Sequence, residues 1–238
     1  MRFVYVSGWI DEDPTRHLKG PKVAYAPTMP YPQDEMIAML AACAELPDNY
    51  GKSGGENSRR ARAFILLLRY SGMRIGDTAT CATDRLNGDR LFLYTQKTGV
   101  PVNVKLPPCV VEALNSICKV SHQYFFWTGA GKADTAAGNW RRTLRKVFKL
   151  AGVKGGHPHR FRDTFAVELL LAGVPLERVS VLLGHSSIKV TEKHYAPWIR
   201  ARQEQLEADL ERSWRQDPIL LAETNDKPEV HGSQQAVN

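Results

Sequence analysis

Between Asp84 and Leu106 the apolar residues stop recurring every third or fourth position and begin to alternate, and this change of period limits the folds open to the chain. Within LNGDRLFLYTQKTGVPVNVKLP, Asn87-Gly88 is a hairpin signal and Lys97–Gly99 marks a second turn. Val100, Val102 and Val104 alternate as the inward side of a half-buried strand does. The pattern predicts one small antiparallel sheet, expected to be three-stranded, inside an otherwise helical chain. The fold class is therefore mainly α with a small antiparallel β-sheet (α+β).

The helical pattern resumes on either side. Met36, Met39, Leu40 and Cys43 form an apolar stripe on a predicted helix over Pro32–Leu46, with Asp34 and Glu35 in its first turn. DNYGKSGGENS reads as a polar loop, after which Ser58 can cap a helix through Tyr70 that Gly72 terminates. A helix is predicted near Pro108–Ile117, followed by a short aromatic strand or loop, YFFWTG. Asn139–Leu150 places Trp140, Leu144, Val147 and Phe148 inward and Arg141, Arg142, Arg145, Lys146 and Lys149 outward. Further helices are predicted over Arg160–Leu171, Leu176–Leu183 and a stretch carrying Tyr195, capped by Ser186 or Ser187. Pro197–Arg215 reads as a separate, strongly charged last helix.

Residues 1–30 hold no sustained period and read as an extended linker, residues 31–216 as the main domain, and residues 217–238 as a disordered tail. The longest apolar run, Phe64–Leu68, is too short to span a bilayer, so the chain reads as soluble and without a membrane partner. Its cysteines (Cys43, Cys81, Cys109, Cys118) show no paired spacing and read as buried free thiols in a reducing cytoplasm. A formal net charge of +7 and a pI near 9.3 favour a polyanionic partner. The excess is concentrated: from Asn139 to Arg162 there are eight Lys or Arg, including Lys154 and Arg160, and no acid.

Candidate chemistry clusters in Gly155–Tyr195, with Arg74 in SGMRIGD and Lys97 in QKTG upstream. His159 and Arg162 lie one helical turn apart at a helix start, where an anion is favoured and a guanidinium can hold two phosphate oxygens. Taken singly, each residue has an ordinary reading. Arg162 can be a surface residue and His159 a loop histidine. Asp77 can cap a helix or pin Arg74, and Lys97 can be one more exposed lysine at a turn. Tyr195 can be packing. Together the inventory is cations, imidazoles and one phenol, with neither a carboxylate pair nor a metal cage.

In that order, SGMRIGD, QKTG, HPHRFRDTFA, LLGHSS and KHYAPW resemble the catalytic domain of the tyrosine recombinases, the phage-integrase family, over roughly Pro30 to Trp214. The resemblance implies that fold and a site-specific recombinase or integrase that cuts and rejoins double-stranded DNA. By it, Tyr195 attacks a phosphodiester and becomes joined to the 3′ phosphate, while Arg74 and Arg162 grip the non-bridging oxygens. Lys97 protonates the departing 5′ oxygen, His159 helps accept the tyrosine proton, His185 hydrogen-bonds the phosphate, and Asp77 supports. It further implies no metal or other cofactor, DNA contacts from Arg141, Arg142, Arg145, Lys146, Lys149, Lys154 and Arg160, and a homo-oligomer on DNA, a tetramer in synapsis. The helix after the tyrosine is expected to dock on a neighbouring subunit or to pack on its own domain. Members carry a helical DNA-clamping domain ahead of the catalytic part, and residues 1–30 resemble only its end and the linker. The chain is therefore expected to be a fragment, a truncated element or a short form. Two other readings stay open: a DNA-binding remnant or regulator without turnover, and a metal-dependent hydrolase using His157, His159, His185 and His194, which lacks the usual acidic ligands.

Overall fold

Phe64–Leu68 is buried at all five positions, so the helix that holds it has to run through the interior rather than along the surface. In the structure, a computed structural model describing residues 2–15, 18, 28–47, 56–117, 121–215 and 217–218, that helix is α3, Glu56–Ser71. Before it come α1 (Arg2–Val6) and α2 (Gln33–Ala42), the latter ending in a 3-10 turn, Cys43–Glu45. After it come α4 (Ile75–Ala79), the strands β1 (Leu86–Asn87), β2 (Arg90–Tyr94) and β3 (Pro101–Lys105), and α5 (Pro108–Ser116). Four helices complete the described chain: α6 (Ala133–Leu150), α7 (His159–Leu171), α8 (Leu176–Leu182) and α9 (Ile188–Trp214).

α4, α5 and α7 pack around α3, α6 covers α4 and α2, and α9 lies across α7 and α8. Phe64 stacks on Trp140 with ring centroids 3.9 Å apart and meets Phe126 edge-on, which joins α3 to α6 through an aromatic core. The sheet is antiparallel in the order β1-β2-β3, with Leu91 opposite Val104 and Leu93 opposite Val102 on the buried face. The alternation seen in the sequence is therefore the inward face of β2 and β3.

Several expectations need correction. Residues 2–6 form a short helix instead of extended chain; its exposed Phe3 meets Trp9 edge-on at 6.1 Å. The rest of the expected linker falls partly outside the described residues, as do loop residues 48–55, tail residues 219–238 and Cys118. α3 begins at Glu56, so Ser58 lies inside the first turn and does not cap it; Glu56 suits the positive helix end and pairs with Arg59 at 2.9 Å. α6 begins at Ala133 because Ala136 and Ala137 are buried and extend the inward stripe. Cys109 is exposed on the first turn of α5, whereas Cys43 and Cys81 are buried.

The largest departure is α9, one continuous helix through Pro197 where two were expected. Proline removes one intrahelical donor and leaves the carbonyl four residues back without its bond. Here that carbonyl belongs to Lys193, and Lys193 and Pro197 are both exposed residues on the outer side of the helix. Buried Tyr195 and Trp198 fasten the helix on either side of the proline.

Candidate active site

Arg162 leaves the first turns of α7 and runs inward until only 2% of it is exposed. Its Nη1 donates to the carbonyl of Gly72 at 2.7 Å and its Nη2 to that of Leu183 at 2.5 Å, joining the ends of α3 and α8. Burial and the nearby Arg74 charge lower its pKa to about 10, against the pull of Tyr195, Asp77 and Asp163, so it stays cationic at neutral pH. A guanidinium has five N–H donors, and these two bonds leave others for an anion. Gly72 makes the junction possible. Its φ is +63°, and a Cβ there would lie 2.5 Å from a Phe165 ring carbon.

Arg74 occupies the position just before α4, and its Nη1 is buried without a hydrogen-bond partner. A buried, unanswered cationic donor is costly unless something anionic meets it. Asp77 does not do so through a hydrogen bond, nor does it cap α4. It lies within α4, and its Oδ1 accepts from the backbone N–H of Gln96 at 2.9 Å, while burial pushes its pKa up against the pull of that bond and of Arg74 and Arg162. Asp77 thus anchors the β2–β3 turn beside α4. The other side of that turn is held by Thr98, whose hydroxyl donates to the Gly184 carbonyl at 3.0 Å. Lys97, exposed, stands between these two anchors.

Arg74, Asp77, Lys97, His157, His159 and Arg141 line one cavity of about 450 Å³. His159 is the first residue of α7, and more than half of its side chain reaches solvent. Even so its pKa is held below the usual histidine value, by desolvation first and then by the Arg162, His157 and Arg74 charges, with Asp163 pulling the other way. The loop ahead of it is fixed by Tyr31, whose hydroxyl accepts from the His157 N–H and donates to the His157 carbonyl, both at 2.9 Å.

His185 follows Gly184, whose φ is +61° and where a Cβ would come within 2.7 Å of Val102 and 2.8 Å of Thr95. Only glycine lets this loop approach the sheet so closely. His185 Nδ1 is 2.7 Å from the hydroxyl of buried Thr191. Burial, and then the charges of Arg162, Arg74, His194 and His159, lower its pKa to about 4, so the ring is neutral. In the tautomer in which Thr191 donates to Nδ1, the ring proton sits on Nε2 and is available to an acceptor. Tyr195, on the inward face of α9 and 3% exposed, donates its hydroxyl to Asp163 Oδ1 at 3.0 Å. The phenol lies close enough to Arg162 to raise that guanidinium's pKa.

Of the six separated sequence positions, Arg74, Lys97 and His159 line the cavity, whereas Arg162, His185 and Tyr195 are not among its lining residues. Tyr195 is tied to α7 through Asp163, and His185 to Thr191. Asp163, Thr191, Tyr31 and Gln96 were not singled out from the sequence. Only Asp163 left a signal, one turn beyond His159. The outlying cations divide differently. Arg142, Arg145, Lys146, Lys149 and Lys154 are exposed, Arg142 donating to Asn139 Oδ1 at 2.7 Å, while Arg141 reaches the cavity. Arg160, expected among the DNA-facing cations, turns inward. It donates to Met29 O at 2.8 Å and Pro30 O at 3.1 Å, pairs with Glu35 at 3.0 Å and lies 4.2 Å over the Tyr31 ring. Carbonyls and a carboxylate in residues 29–35 satisfy it better than solvent does, so it clasps that segment to α7. Among the described residues no three His, Cys, Asp or Glu side chains are grouped to hold a metal ion.

The chain is 27% identical over 192 residues to a tyrosine recombinase of Thermosipho africanus, covering 79% of this chain and 64% of that protein. It is also 27% identical over 201 residues to tyrosine recombinase XerD of Rhizobium meliloti, covering 80% and 64%. The chain therefore spans just under two thirds of the length of these curated relatives. Among solved structures, XerA recombinase superposes with a TM-score of 0.59 at 20% identity, covering 81% of this chain and 69% of that one. A lambda integrase tetramer bound to a Holliday junction superposes with a TM-score of 0.58 at 16% identity, covering 81% and 55%. These likenesses carry the fold, that of the tyrosine-recombinase catalytic domain. Residues 31–198 match the model of the phage integrase family, and the chain belongs to that family.

Proposed function

We propose that this chain is the catalytic part of a site-specific recombinase that breaks and rejoins DNA through a covalent 3′-phosphotyrosyl intermediate. The observation that carries the reading is the buried, partnerless Nη1 of Arg74 beside a cavity that also takes Lys97 and His159. That arrangement suits a phosphodiester. Arg74 and the remaining donors of Arg162 hold the non-bridging oxygens, and neutral His185 adds a donor through Nε2. Tyr195 supplies the attacking oxygen from the Arg162 side, His159 helps to accept its proton, and Lys97 at the mobile end of its side chain protonates the departing 5′ oxygen. Asp77 supports by fixing the turn that carries Lys97. Bound in the ester, the tyrosine conserves the phosphodiester energy, so rejoining needs no nucleotide.

The partner in this reading is duplex DNA, gripped through the exposed cations of α6 and Lys154, with copies of the chain assembling on DNA as a tetramer in synapsis. The lambda integrase tetramer on a Holliday junction supports that assembly by likeness of fold. In this reading residues 31–216 are the catalytic domain, and residues 1–30 a linker and remnant of a DNA-clamping domain. Its place of work is the cytoplasm; no described helix is long and apolar enough to cross a membrane.

The test is incubation of the full chain with a pool of nicked suicide duplexes of randomised sequence, scored as protein–DNA adduct that survives detergent. Wild type forms the adduct and Tyr195→Phe does not. DNA binding by wild type without any adduct supports a non-cutting DNA-binding protein instead and overturns the proposal.

A further inference from the structure

Asp163 is a carboxylate in an unusual position. It is 7% exposed, yet its Oδ2 is buried with no hydrogen-bond partner. Among the described residues its one ion-pair distance is to His159, with Nε2 3.9 Å from Oδ1. The neighbouring Arg162, which would ordinarily neutralise it, directs Nη1 and Nη2 to the carbonyls of Gly72 and Leu183. What Oδ1 does accept is the Tyr195 hydroxyl, at 3.0 Å. A carboxylate buried only for stability is normally answered by an arginine or by backbone N–H groups. This one is answered by a phenol proton, and it stands between that phenol and the imidazole of His159.

We infer that Asp163 is the first acceptor of the Tyr195 proton during strand cleavage, with His159 second in line. The inference rests on Tyr195 being the nucleophile. At rest the proton stays on the phenol, which donates it to Asp163 Oδ1 as a hydrogen bond. As the phenolic oxygen bonds to phosphorus its O–H becomes strongly acidic, and the proton passes to Asp163 Oδ1 while the bond to the 5′ oxygen breaks. That leaving oxygen takes a proton from Lys97. A small approach of His159 Nε2, already facing the same carboxylate oxygen, then moves the first proton onto the ring. Rejoining reverses each transfer: the incoming 5′ hydroxyl returns a proton to Lys97, and the phenol recovers its own. The hydrogen bond also fixes the phenol's direction before DNA arrives, so cleavage does not wait for a rotamer search.

The experiment compares Asp163→Asn with wild type in single-turnover adduct formation by the full chain, using the nicked randomised pool. The asparagine keeps shape and a hydrogen-bond acceptor but cannot take a proton, so the rate falls by about 10²–10⁴-fold. DNA affinity and thermal unfolding stay close to wild type. A second substrate carries sulfur in place of the 5′ bridging oxygen, which makes a leaving group that needs no proton. On it Lys97→Ala recovers and Asp163→Asn does not. Should Asp163→Asn fail to fold, Asp163→Ala with added formate serves, and formate then restores the rate. An Asp163→Asn rate within about threefold of wild type, recovery on the sulfur substrate, or formate without effect overturns the inference. An adduct formed by Tyr195→Phe would instead overturn the nucleophile assignment, so the two failures are distinguishable.

Discussion

A floor of two arginines with buried groups, Arg74 and Arg162, and the outer face of α6 carry the same kind of charge in opposite circumstances. On the floor, Arg162 is 2% exposed and built into two backbone carbonyls, and Arg74 has a buried Nη1 with no partner. On α6, Arg145, Lys146 and Lys149 stand in solvent. Cations in water interact weakly and adjustably with an anion, whereas desolvated ones interact strongly and only in one geometry. The floor is therefore suited to stabilising a transition state and the face to raising affinity.

The two floor arginines also differ from each other, and that difference gives the largest expected effects. Either Arg74→Ala or Arg162→Ala should slow adduct formation by about 3 kcal/mol in barrier, on the order of a hundredfold. Their stabilities should part. Arg162→Ala orphans the carbonyls of Gly72 and Leu183 and should lower unfolding free energy by about 2–4 kcal/mol. Arg74→Ala deletes a donor that has no partner, so stability should stay within about 1 kcal/mol of wild type. Urea unfolding alongside cleavage rates separates the cases; equal stability losses would erase the distinction.

The next effect concerns Arg160, two residues before Arg162 and the expected DNA-facing cation whose side chain instead meets residues 29–35. Arg160→Ala should cost about 2 kcal/mol of stability through the lost bonds to Met29, Pro30 and Glu35, while the salt dependence of DNA binding stays as in wild type. A flatter salt dependence without a stability change would return Arg160 to the DNA-facing set.

Arg160 also shows what the sequence could and could not disclose. Alternation in β2 and β3, the glycines at 72 and 184, and the inward stripe of α6 are local patterns, and each was legible. The candidate residues stood out as an ordered set of motifs, and of these Arg74, Lys97 and His159 line one cavity. The partners that give them their circumstances were not, because Gly72 lies 90 residues from Arg162 and Met29 lies 131 from Arg160. A basic run reads as one surface even when two members, Arg160 and Arg162, turn inward. The continuity of α9 through Pro197 was hidden for the same reason, since the burial of Tyr195 and Trp198 that holds it is tertiary.

His185 allows a smaller test of the floor. Its folded-state pKa of about 4 lies below the ordinary 6.5, so between those values the unfolded chain binds the proton more readily. Stability should be fully present above the ordinary value and fall as pH drops through this window. The ring is only half-buried, so solvent screening reduces the effect to on the order of 1 kcal/mol. Arg162, Arg74, His194 and His159 are the charges that face it, and His159 titrates in the same direction. The informative quantity is therefore the difference between wild type and His185→Gln in urea unfolding at pH 7 and pH 5. The variant should show the shallower loss; an equal loss would mean that His185 does not feel the floor cations.

The outer face of α6 should give the smallest effect per residue and the cleanest contrast. Arg145 and Lys149 lie one turn apart, both exposed, and neither lines the cavity. If they meet phosphates, each releases roughly one condensed counterion on binding, so Arg145→Ala with Lys149→Ala should flatten the plot of log affinity against log salt by about 2 units. The same variant, at DNA concentrations high enough to saturate it, should form adduct at the wild-type rate, because neither residue lines the cavity. Loss of rate at saturation would mean that α6 helps to shape the cavity, and the division between floor and face would fail. An unchanged slope would move the DNA footprint off this face and leave Arg141, the α6 cation that reaches the cavity, as the helix's link to the phosphate.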